Sequence, residues 1–115
     1  MTNCKPGDIV LVRFPFTDLT SHKRRPVLVV SPSEFSTRFG DIVVVPLTGQ
    51  VQDHGLHLEK WRESGLLKPT WLKALIATVA ESLVEQRLGF MHPEDVDKVG
   101  SILKILIDLR FGSIS

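Results

Sequence analysis

Cysteine is nearly absent: Cys4 is the only one in 115 residues, set in a polar N-terminal stretch. That excludes an intramolecular disulfide and a cysteine-based metal cluster. A reducing cytoplasm is the compartment it implies. No apolar run reaches the roughly 18 residues that a membrane-spanning helix needs. The start, MTNCKPGD, lacks the basic, apolar and small-residue order of a signal peptide, so the expectation is a soluble, cytoplasmic chain with no membrane partner. Glycine-rich phosphate loops are missing, since Gly7, Gly40 and Gly49 stand alone, and there is no GxSxG elbow. His54 and His57 match neither an HExxH helix nor a Cys/His finger, and no carboxylate cluster accompanies them. Neither a metal nor any other cofactor is expected. Charge of one sign is lacking too: 14 Lys and Arg against 13 Asp and Glu leave +1, so any nucleic-acid contact must come from local density.

What is present suits one folded domain spanning 1–115. Apolar residues make up 43% and charged residues 23%, which argues against disorder, and the length fits a single core. The organising stretch runs from Gly7 to Pro32. Asp8 to Phe14 alternates apolar and other residues, and Val27 to Val30 is a continuous apolar run, both strand signals. The loop between them carries His22, Lys23, Arg24 and Arg25, the local cationic density of the chain. Pro26 restricts Arg25 to an extended backbone, which fixes the direction of its side chain.

Further along, Ser33 to Arg38 reads as a short helix closed by Gly40, and Asp41 to Pro46 as a central strand with Leu47, Thr48, Gly49 and Gln50 at its exit. Val51 to Lys68 is polar and irregular, with turns at Gly55 and Gly65 and an edge strand at His57 to Glu59. Pro69 to Val79 reads as a strand, with a helix over Leu72 to Ala77 as the alternative. Ser82 to Met91 reads as a helical turn leading into a last strand. A helix starts at His92 or Pro93 and runs to about Leu109, with Glu94, Asp95 and Asp97 on its positive end. Val96, Val99, Leu103 and Leu106 form its apolar stripe, and Gly100 within it marks a close packing contact. Periodicity therefore predicts an α+β, mainly β fold with a C-terminal helix.

The order and spacing of PGDIVLVRF, RRPVLVVSP, DIVVVPLT, GLLKPTWLKALIATV and RLGFMHPEDVDKVGSILKIL resemble the MazF/PemK family of toxins from type II toxin–antitoxin systems. The resemblance covers most of the chain. It implies an SH3-like antiparallel barrel with a C-terminal helix, a homodimer, neutralisation by a cognate antitoxin, and metal-independent cleavage of single-stranded RNA at a short sequence. A rival reading places a non-enzymatic module on the same barrel, binding nucleic acid or inhibiting DNA gyrase as CcdB-like toxins do.

Arg25 is the first candidate, because a guanidinium offers a permanent charge and a planar fork to phosphate. Its bland alternative is a solvated loop cation. The resemblance matches it to the catalytic arginine before the proline, and matches Thr48, otherwise a strand-ending residue, to the catalytic threonine or serine. Phe16, Thr20, His22, Lys23, Arg24, Gln50 and Lys73 are the candidate RNA contacts. Each has a plain alternative as a solvated polar group or, for Phe16, a loop anchor, and His22, three residues from Arg25, also reads as a proton carrier. Many family members carry arginine at Lys73, with an acidic residue two positions on. Here Ala74 and Leu75 follow, so a carboxylate base is missing.

Overall fold

The computed structural model describes residues 4–14 and 23–107. Among these residues, seven strands and two helices follow one another as β1 (Asp8–Phe14), β2 (Lys23–Val29), α1 (Ser33–Phe39), β3 (Asp41–Thr48), β4 (Leu56–His57), β5 (Trp71–Leu72), β6 (Ala77–Ala80), β7 (Val84–Phe90) and α2 (Pro93–Leu106). A short 3-10 turn, Glu81–Leu83, precedes β7. All pairings are antiparallel, in the order β4-β5-β3-β2-β1-β7, with β6 also on β3. The mainly β fold with its C-terminal helix is as expected.

Period-two alternation sorts the apolar residues onto the two faces of the sheet. Val10, Val12, Val27, Val29, Ile42 and Val44 form one buried cluster, and Ile9, Leu28, Val45 and Leu47 join Leu58, Leu72 and Met91 in the other. The unbroken apolar run of β3 has no solvent face to serve, which is why it lies centrally. Cys4 belongs to the first cluster and is fully buried. Its polar sequence neighbours therefore misrepresent its setting. Burial and a nearby Glu81 carboxylate push its thiol up to about 11, so it is held as the inert neutral form.

Three expected boundaries shift. β2 already starts at Lys23, so Arg24 and Arg25 lie on a strand rather than in a loop, their backbone paired with Arg13 and Val12 of β1. The edge strand is Leu56–His57 rather than His57 to Glu59. The single strand expected from Pro69 to Val79 is interrupted. Trp71 and Leu72 pair with Thr48 and Leu47, whereas Ala77 pairs with Val44, so the register along one edge of β3 slips and residues 73–76 bulge outward.

His92 caps α2, its Nδ1 accepting the Glu94 N–H at 3.1 Å, and Pro93 takes the first turn. The helix presents half of the expected stripe: Val99 and Leu103 pack on the second cluster, whereas Val96 and Leu106 are 45% and 36% exposed. Asp95 and Ile102 complete the face turned to the fold. The reason is polar: the buried Asp95 carboxylate accepts the Lys60 N–H at 3.1 Å, which fixes the rotation of the helix. The expected extension to Leu109 lies outside the described residues. Among those described, no helix is long and apolar enough to cross a membrane.

Two glycines behave oppositely. A Cβ at Gly100 would meet nothing within 4 Å, so no close contact explains this glycine. At Gly89 a Cβ would sit 2.0 Å from the Ser64 carbonyl oxygen, where the 64–68 segment crosses β7 backbone to backbone. Gly100→Ala is therefore expected to stabilise the fold by about 1 kcal/mol. Gly89→Ala is expected to destabilise it by about 2 to 3 kcal/mol. Chemical denaturation of both variants checks the pair, and a stabilised Gly89→Ala would refute the crossing.

Candidate active site

The register of β2 and β3 builds the site. Val29, Leu28 and Val27 face Val44, Val45 and Pro46. Extending that register by two residues sets Arg25 opposite Thr48, on the same face. Each is held by its own strand: Arg25 by its pairing with Val12 and by Pro26 after it, Thr48 by its pairing with Trp71. The two line one open cleft of about 770 Å3.

Thr48 is oriented by the turn that follows it. The Gln50 N–H donates to Thr48 Oγ1 at 3.2 Å, which occupies an acceptor position and leaves the hydroxyl hydrogen available for a ligand. Arg25 is half-buried and has no hydrogen-bond or ion-pair partner among the described residues. Around the pair, Leu11, Pro26, Leu47, Leu66 and Leu88 give the cleft apolar walls. Low polarity beside a cation strengthens its hold on an anion.

The cleft also holds Lys68, which is not among the residues expected at the site. A Cβ on Gly49 would lie 2.8 Å from Lys68 Cε and 3.0 Å from Nζ, so the lysine stem crosses directly over the turn after Thr48. Gly49 leaves the room for it. The signal was available: Lys68 precedes Pro69 as Arg25 precedes Pro26, and proline narrows the backbone choices of the residue before it. The crossing at Gly89 holds the 64–68 segment in place, and the Ser64 hydroxyl adds to this by accepting the His92 N–H at 3.0 Å. Arg24, Arg25 and Lys68 are the charged groups among the described lining residues, with no carboxylate between them. That is the composition of an anion site.

The other candidates separate. Gln50 lines the cleft. Arg24 also reaches it, but its guanidinium is already engaged by Glu85, which Arg13 contacts at 3.1 Å. Chiefly through the Arg24 hydrogen bond, Glu85 is held below the usual carboxylate range. Lys73 is carried by the 73–76 bulge into a neighbouring groove of about 440 Å3, with Gln52, Asp53, His54 and Leu75. The structure does not bring it to Arg25 and Thr48. Phe16, Thr20 and His22 lie outside the described residues, as does the side chain of Lys23.

Several solved structures share this fold. An endoribonuclease in complex with its cognate antitoxin from a mycobacterial species is 19% identical, with a TM-score of 0.76 over 96% of this chain and 98% of that one. The MazE–MazF complex of Deinococcus radiodurans is 20% identical, with a TM-score of 0.75 over 94% and 99%. The Mycobacterium tuberculosis toxin MazF-mt6 is 16% identical, with a TM-score of 0.72 over 90% and 98%. No curated protein matches the sequence. A family model does match, over residues 5–107, and the chain accordingly belongs to the PemK-like, MazF-like toxins of type II toxin–antitoxin systems.

Proposed function

We propose that this toxin is a sequence-specific endoribonuclease that cuts single-stranded RNA, mRNA above all, in the cytoplasm. The observation that carries the reading is that Arg25 and Thr48 line one cleft with further cations and apolar walls. Arg25 grips the scissile phosphodiester and opposes the charge that grows on its oxygens, and the Thr48 hydroxyl donates to one of those oxygens. The nucleophile is the substrate's own 2'-hydroxyl. Its oxygen bonds to phosphorus as it loses its proton, the bond from phosphorus to the 5'-oxygen breaks, and that oxygen takes up a proton. A 2',3'-cyclic phosphate and a 5'-hydroxyl result.

Family membership supports two partners. The first is a second copy of the chain, which would set two such clefts along one RNA. The second is a cognate antitoxin, whose carboxylates would be drawn to a cleft that has cations and no acid of its own. Lys68 joins Arg25 as a phosphate contact in this reading, and Gln50, at the rim, can address a base edge through its amide. Lys73 would meet RNA only beyond the cleft, in its own groove.

Incubating the purified protein with a long RNA in EDTA tests the reading. Discrete fragments are expected. Intact RNA together with growth inhibition on expression would favour the rival, a toxin that binds its target without cutting it.

A further inference from the structure

Arg13 and Arg24 are direct cross-strand partners on β1 and β2. Two like charges in that relation repel. On the other side of β1, Leu11 pairs with Gln86 but Val12 pairs with Val84, so Glu85 is the extra residue of a β-bulge. Bulges re-aim side chains, often beside active sites. This one sends Glu85 between the two arginines: its Oε2 accepts from Arg13 Nε at 3.1 Å and its Oε1 accepts from Arg24 Nε. Arg24 lines the cleft and Glu85 does not. Of two adjacent arginines at one corner of the sheet, Arg24 is thus claimed by an internal anion, while Arg25 has no partner among the described residues.

We propose that Glu85 is a positioning residue for the RNA site, a resident carboxylate that occupies Arg13 and Arg24 so that Arg25 and Lys68 receive the substrate phosphates. It rests on the ribonuclease reading and adds to it a reason for discrimination. Arg24 and Arg25 alternate along β2, so a scissile phosphate held at the Arg24 guanidinium would sit in the same cleft but displaced from the one that Arg25 presents to Thr48. By neutralising that decoy, Glu85 trades total affinity for one productive register.

Salt dependence of binding reads this directly, because each phosphate contact to single-stranded nucleic acid contributes about 0.7 to the slope of log affinity against log salt. With an uncleavable 2'-O-methyl RNA oligonucleotide as probe, Glu85→Gln is expected to bind more tightly than wild type at low salt. Its slope should be steeper by about 0.7 to 1.4, for one or two freed cations. With cleavable RNA, kcat and KM should fall together as phosphates settle in the wrong place. Glu85→Asp should bring the slope back toward wild type, and adding Arg24→Ala to Glu85→Gln should remove about 0.7 of the steepening, the share of one cation. A merely structural Glu85 would lower the melting temperature and leave the slope unmoved, and that result overturns the inference. If wild type fails to bind the oligonucleotide at all, the ribonuclease reading falls and the inference with it. If wild type binds and Glu85→Gln shows the same slope, only the inference falls.

Discussion

Replacing Arg25 with alanine is expected to slow RNA cleavage by about 100- to 1,000-fold, a loss of roughly 3 to 4 kcal/mol in transition-state stabilisation. The magnitude follows from what a preorganised donor does. Held by β-pairing on one side and by Pro26 on the other, the guanidinium spends little energy on orientation when charge develops on the phosphate. Thr48→Ala should cost a similar factor, since Thr48 Oγ1 is fixed by the Gln50 N–H and aimed from the opposite strand. Thr48→Ser, which keeps the hydroxyl, should retain most of the activity. Neither Arg25 nor Thr48 is part of either apolar cluster, so melting temperatures should stay near wild type. Single-turnover rates at saturating protein separate this loss from weaker binding. Near-normal cutting by Arg25→Ala would remove the phosphate grip from the mechanism.

Substituting 2'-deoxyribose at the cut site is expected to abolish cleavage, a larger effect than any single side-chain change. The described lining of the cleft contains no carboxylate or imidazole to activate a water, whereas the 2'-hydroxyl arrives already beside the phosphorus atom it must attack. Proximity of that kind is worth several powers of ten. A chimeric oligonucleotide with one deoxy position should bind like the all-ribose form and remain whole, and DNA should resist throughout. Efficient cutting of the chimera would show that the nucleophile comes from elsewhere.

Much of this arrangement could be read from local signals because those signals act locally. Pro26 fixes Arg25 whatever surrounds it, the apolar run of Asp41–Thr48 demands burial on both faces, and His92 with Pro93 starts a helix in any context. The slip along β3 is different. Nothing in the alternation of residues 69–79 says that Trp71 and Ala77 take different registers against one partner, yet that slip decides that Lys73 leaves the cleft. Cys4 and α2 fail in the same way: the apolar neighbours of Cys4 are distant in sequence, and the rotation of α2 is set by a hydrogen bond from Lys60 to Asp95. Glu85 was invisible as a site residue because a bulge, rather than a motif, delivers it. Lys68 alone could have been found in advance, by applying to Pro69 the reasoning that singled out Arg25.

If the substrate's 2'-hydroxyl attacks its own phosphodiester at the Arg25 and Thr48 cleft, the fragment ends record that chemistry. Mass spectrometry of fragments made by the wild-type protein in EDTA should find a 2',3'-cyclic phosphate at each new 3' end and a hydroxyl at each new 5' end. Fragments carrying a 5'-phosphate and a free 3'-hydroxyl would contradict the account.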